Sequence, residues 1–141
     1  MGTVKDFLLQ IRKEQKELSQ LNDKIREIEL SLLPSAIRYD TDKVQTSPDD
    51  PMLQMLAVVA DYKTDMVKRV ELLTKRRRKA FALINTLEDS RQRQVLQLYF
   101  LDPGRLRMYQ VAERIGYTER ETYRFYQAGL DILSVNVSKH I

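Results

Sequence analysis

The stretch MYQVAERIGYTERETYRFYQ, residues 108–127, decides how this chain is read. Position by position it follows the helix-turn-helix pattern. Val111 and Ala112 take the fourth and fifth places, Ile115, Gly116 and Tyr117 the eighth to tenth, and Thr122 and Phe125 the fifteenth and eighteenth. Each match has a physical reason. Two crossing helices need a small residue at their closest approach, and Ala112 supplies it. A positive φ in the turn is cheap only without a Cβ, which places Gly116 there. Val111, Ile115, Tyr117 and Phe125 fill the small core between the helices. Thr118 stands where the next helix needs a cap, and Glu121, three residues on, completes a capping box. The opening Arg107-Met108 is a weaker start for the first helix.

With Thr118 as cap, the second helix is predicted over about 119–133. Thr122, Phe125, Gly129, Leu130 and Leu133 face inward on it, which turns Glu119, Arg120, Tyr123, Arg124 and Gln127 outward. A helix end presented this way fits the major groove of double-stranded DNA. Arg120 can make a bidentate contact to guanine, Glu119 can accept from cytosine and Gln127 can read adenine, with Tyr123 on the same face. Arg105, Arg107, Thr118 and Arg124 are placed for backbone phosphates, which fix register without reading bases.

Upstream, Glu88-Asp89-Ser90 interrupts the preceding pattern, and Asp89 or Ser90 can cap a new helix. Val95, Leu96, Leu98, Tyr99 and Leu101 then give an apolar face over about 90–101, followed by a turn at Asp102-Pro103-Gly104.

Two long helices come before this. Val4, Ile11, Leu18, Ile25 and Leu32 recur seven apart, and Phe7, Leu21 and Ile28 fill the second seam position, with Glu14 the one break. That predicts a heptad helix over about 3–33, stopped by Pro34. Residues 34–49 read as a connector. In it Ser47 and Pro48 have the chemistry of a cap and a first helical residue, with Asp49 and Asp50 at the positive helix end. Asp40 and Asp42 begin like a metal loop, but no further ligands follow at EF-hand spacing, so no metal is expected. A second helix is predicted over about 50–87. Met52, Val59, Met66, Leu73, Ala80 and Leu87 fall seven apart, widened by Met55, Tyr62 and Leu83, and again by Leu56, Val70 and Ile84. A two-helix hairpin has one internal seam, so the surplus Leu56, Val70 and Ile84 must pack on the C-terminal unit, a second copy or a partner. The expectation is an all-α chain: a coiled-coil-like antiparallel hairpin over 1–87, then a three-helix helix-turn-helix unit over 88–141.

Charge sharpens this division. The net +4 divides into −2 over residues 1–50, +5 over 51–87 and +1 over 88–141. The excess gathers at Lys75, Arg76, Arg77, Arg78 and Lys79. Five successive residues sweep more than a helical turn, so they are read either as a solvated run or as an auxiliary phosphate-tracking patch.

Composition excludes most chemistry. There is no Cys, a single His at position 140 and only four Gly. Disulfides, thiolate metal sites, a Ser-His-Asp triad and phosphate-cradling Gly loops are out of reach, and neither an enzyme nor a cofactor is expected. The longest apolar run, Met55 to Ala60, is far too short for a membrane span. The N-terminus lacks a signal-peptide pattern, and a cytoplasmic location is expected.

Residues 87–133 resemble region four of bacterial sigma factors. The whole layout is similar to the RinA/ArpU type of phage-encoded regulators, through the heptad-rich start, the connector Val44-Gln45-Thr46-Ser47-Pro48, and Ile115-Gly116-Tyr117-Thr118 in the turn. The resemblance implies sequence-specific DNA binding that switches on phage late genes, such as packaging genes, in a bacterial host. Host RNA polymerase and a second copy of the chain are further partners on that reading. Two features depart from the pattern: Arg107-Met108 replaces the usual Ser or Thr then Trp, and Tyr123 and Tyr126 stand where sigma factors tend to be charged. The alternative is a protein-binding module, either an antitermination factor gripping RNA polymerase or a small terminase subunit.

Overall fold

The computed structural model describes residues 3–38 and 50–139, and over these it is all helical. The elements are α1 (Val4–Arg38), α2 (Pro51–Ile84), α3 (Ser90–Leu96), a π-helical turn (Gln97–Leu101), α4 (Met108–Ile115) and α5 (Glu119–Lys139). The Asp40/Asp42 pair, the Val44–Pro48 motif and His140 lie outside the described residues.

Several boundaries differ from expectation. Helix α1 does not stop at Pro34 but runs to Arg38. Proline withholds a hydrogen bond from the carbonyl of Leu30, and Leu30 is exposed, so water can reach that side of the helix. Helix α2 opens at Pro51, and the Asp50 carboxylate accepts from the Met52 amide at 2.9 Å as its cap, while Ser47 and Pro48 lie outside the described residues. Helix α2 ends at Ile84, three residues early, and the Arg93 guanidinium meets the carbonyls of Leu87 and Glu88 at 2.6 and 2.9 Å. Helix α5 continues past 133 to Lys139.

The chain divides into two compact units, Met1–Lys16 with Leu73–Ile141, and Glu17–Leu72. This is not a division at residue 87. Both long helices contribute to each unit.

In the Glu17–Leu72 unit, Ile25 and Val59 are buried, with Leu18, Leu21, Ile28, Tyr62 and Met66 half-buried along the heptad seam. Glu17 pairs with Arg69 at 3.5 Å and Glu29 with Lys63 at 2.9 Å, so partners descend α2 as α1 ascends and the helices run antiparallel. Both ion pairs are well exposed and add at most about 1 kcal/mol each. Leu53, Leu56, Val67 and Val70 remain exposed on α2.

The other unit is built on α3, α4 and α5, and the ends of the long helices are part of its core. Leu8, Ile11, Ala80 and Ile84 are fully buried there, together with Val95, Leu96, Phe100, Val111 and Leu133. Leu8 lies outside the heptad seam of α1, and Ile84 is the one member of the surplus α2 stripe that becomes buried. Gly129 sits where α5 meets α3: a Cβ there would stand 3.0 Å from Leu96 Cδ1 and 3.5 Å from Leu87 Cδ1, so its absence allows the close approach.

The helix expected over 90–101 is interrupted. Asp89 caps α3, accepting from the Arg91 amide at 2.8 Å, and the last five residues form a π turn. The Arg91 guanidinium and amide, both donating to it, hold the Asp89 carboxyl below its ordinary range. A π turn weakens regular backbone bonding. Side chains of α1 meet carbonyls within it and just after it. Arg12 donates to the Tyr99 carbonyl at 2.6 Å while its guanidinium lies 4.2 Å above the Tyr99 ring. Gln15, buried and oriented to satisfy both ends of its amide, donates to the Asp102 carbonyl at 3.0 Å and accepts from Arg77 at 3.1 Å.

Candidate nucleic-acid interface

Helix α4, the turn 116–118 and the start of α5 form the candidate site. Gly116 ends α4 with φ +79, and its amide donates to the Ala112 carbonyl at 3.0 Å. A Cβ on Gly116 would meet no atom within 4 Å, so the demand is one of backbone conformation alone. Gly116→Ala should therefore cost about 1–2 kcal/mol, read as a shift in the denaturant midpoint, and Gly116→Asn clearly less. A second left-handed residue is Arg105, with φ 51, not the neighbouring Gly104.

The start of α4, weak by sequence, is closed from the other side. The Gln110 side chain accepts from the Arg107 amide at 2.8 Å. At α5, Thr118 Oγ1 accepts from the Glu121 amide at 3.1 Å and donates to the Glu121 carboxylate at 3.1 Å. The expected box is thus made through the Thr118 hydroxyl, not its backbone amide. With both bonds made, that hydroxyl is occupied as a cap.

The buried face of α5 carries Thr122, Leu130 and Leu133, with Phe125 and Tyr126 half-buried. Thr122 Oγ1 donates to the Thr118 carbonyl at 2.8 Å. Phe125 meets the Tyr117 ring edge-on at 5.1 Å, and the Arg91 guanidinium covers it at 4.8 Å. Tyr126 stacks on Phe100 at 5.8 Å, and its burial raises the phenol's pKa. These contacts fix the rotation of α5 about its axis. Glu119, Arg120, Tyr123, Arg124 and Gln127 are all exposed on the opposite side. Among the described residues, neither Arg120 nor Arg124 is held by a carboxylate. Gln127 donates to Asp131 at 3.0 Å, which leaves its carbonyl as the free end. Tyr123 is half exposed, with its ring edge against Tyr126 at 6.3 Å.

The basic run on α2 does not act as one patch. Arg76 is bound to Glu14, Arg77 meets the Gln15 amide, and Lys79 lies 5.6 Å over the Phe7 ring. Only Lys75 and Arg78 are both exposed and without such a contact among the described residues. The run ties α1 to the unit, because successive helical residues point in different directions.

A different basic cluster forms instead. Arg12, Lys13 and Lys16 of α1 meet Arg105 and Arg107, with Leu9 and Gly104, around an open cavity of about 510 Å³. Among the described residues no carboxylate lines it. Arg12 also donates to the Arg105 carbonyl at 3.3 Å, which fixes the left-handed turn against α1. The spacing 9, 12, 13, 16 marks one helical face in the sequence, yet nothing in the sequence says that this face meets residues 104–107.

Among the described residues no three His, Cys, Asp or Glu side chains gather as a metal site requires. No helix of the described residues is long and apolar enough to cross a membrane. Comparison with protein-family models, with curated proteins and with solved structures finds nothing that matches this chain.

Proposed function

We propose that this protein is a sequence-specific regulator of transcription that sets the leading end of α5 into the major groove of double-stranded DNA. One observation carries the reading: Glu119, Arg120, Tyr123, Arg124 and Gln127 are exposed on one face of a helix whose opposite face is locked by Thr122, Leu130, Leu133 and the aromatic contacts. A rigid helix end with unpaired guanidiniums suits base-edge recognition, since little side-chain ordering is left to be done on binding. Arg120 and Glu119 read bases. Arg124, Arg105 and Arg107 hold phosphates. The resemblance to phage late-gene regulators supplies the biological setting, a bacterial cytoplasm and the activation of packaging or structural genes, with no catalysis involved.

The test compares a DNA site selected by the protein with random DNA of equal length. Arg120→Ala should weaken binding to the selected site by about 5- to 150-fold, the 1–3 kcal/mol of one bidentate base contact, and leave random DNA nearly unchanged. Equal weakening on both would remove Arg120 from the base-reading set.

A second reading is favoured by the exposed Leu53, Leu56, Val67 and Val70 on α2. Such a stripe suits a protein-binding role, either antitermination on RNA polymerase or terminase assembly. A polymerase pull-down that survives nuclease supports the first, and large rings in light scattering support the second.

A further inference from the structure

We propose that the cavity bounded by Lys13, Lys16, Arg105 and Arg107 binds phosphate oxyanions, and that its ligand is the DNA backbone flanking the bases read by α5. This rests on the DNA-binding reading for its ligand, though not for its chemistry.

Lys13 and Lys16 are exposed, and among the described residues neither is paired with an acid. Every charged side chain lining the cavity is basic, so the local field has one sign. The cations are also unequal in mobility. Arg12 is committed to the carbonyls of Tyr99 and Arg105 and to the Tyr99 ring, so it braces the wall. Lys13 and Lys16, one helical turn apart on α1, remain as flexible point charges suited to phosphate. Arg107, which lines the cavity, is also the N-cap of α4, so the positive end of that helix begins beside it. Four free or partly free cations around one concavity, with no acid to neutralise them, repel one another unless an anion is present. Cation repulsion therefore favours a bound anion.

The test uses the full-length chain with the double substitution Lys13→Gln and Lys16→Gln, and Lys68→Gln as a control on an exposed lysine elsewhere. Unchanged helical content and melting in all three proteins establishes that the folds are intact. Binding is measured to the selected site and to random DNA between 50 and 200 mM salt. Loss of two phosphate contacts should reduce the slope of log K against log salt by about 1.8 and narrow the fall in affinity over that range by about tenfold. The loss should be the same on both DNAs, and Lys68→Gln should leave the slope unchanged. If the wild-type chain binds DNA and the double variant keeps its slope and affinity, the proposal is overturned while the base-reading face of α5 stands. If the wild-type chain binds no DNA, the proposed function fails, and titration with inorganic pyrophosphate decides the cavity alone. Binding that the double variant loses keeps the anion site with a free phosphate ligand, and no binding by either protein overturns it.

Discussion

A fragment of residues 88–141, cut free of the two long helices, will not unfold cooperatively, whereas the full chain will. Residues before 88 supply much of the core of the unit that contains α3, α4 and α5. Leu8, Ile11, Ala80 and Ile84 are completely buried, and Leu87 nearly so. Burying one Leu or Ile is worth about 1.5–3 kcal/mol, so loss of these side chains removes a sum comparable to the whole stability of a small domain, about 5–15 kcal/mol. The fragment would also leave the carbonyls of Tyr99 and Asp102 without Arg12 and Gln15. Far-ultraviolet circular dichroism against temperature is the measurement. A broad, non-cooperative change is expected from the fragment. A sharp transition matching the full chain would show that the ends of the long helices are dispensable.

The second large effect falls on Phe100, at the centre of the aromatic cluster. Its ring is fully buried, edge-on to Tyr99 at 5.0 Å and stacked with Tyr126 at 5.8 Å. Phe100→Ala should cost about 3–5 kcal/mol, the sum of lost transfer energy and the cavity left behind. Phe81, half exposed on α2, makes the internal control: Phe81→Ala should stay within about 0.5 kcal/mol of the parent. Because Tyr126 lies on α5, the first change should also loosen the helix that carries the base-reading residues. Hydrogen exchange would then rise along α5 before global unfolding. Equal costs for the two substitutions would show that the buried aromatic cluster does not hold the unit together.

Local chemistry was legible in the sequence, and long-range closure was not. Gly116 with its positive φ, the caps at Asp89 and Thr118, the small Ala112 and the inward Thr122 were all set by neighbours within a few residues. Helical periodicity likewise placed Glu119, Arg120, Tyr123, Arg124 and Gln127 on one exposed face. Arg12 and Gln15 were invisible by the same logic. Their partners lie more than sixty residues away, and on a heptad wheel both look like ordinary solvent positions. The π turn was equally hidden, because its sequence continues the helical pattern of α3 and only the tertiary hydrogen bonds from α1 make the interruption affordable. Lys75–Lys79, left open between a solvated run and an auxiliary patch, does not share one face. A run of charges along a helix is spread around it, and Glu14, Gln15 and the Phe7 ring engage three of the five. The sparser set at 12, 13 and 16 forms the basic concavity because helical spacing puts it on one side.

That the exposed end of α5 reads DNA sequence is tested most directly by letting the purified full-length protein select fragments from the genome that encodes it. The selection is run at about 150 mM salt, where specific complexes typically have a Kd of about 10⁻⁸–10⁻¹¹ M and non-specific ones are far weaker. Sequencing of the bound pool should return a small set of sites that share a short motif, and that enrichment should be lost with Arg120→Ala. A bound pool that matches the input, or one without a common motif, would contradict sequence-specific recognition by this helix.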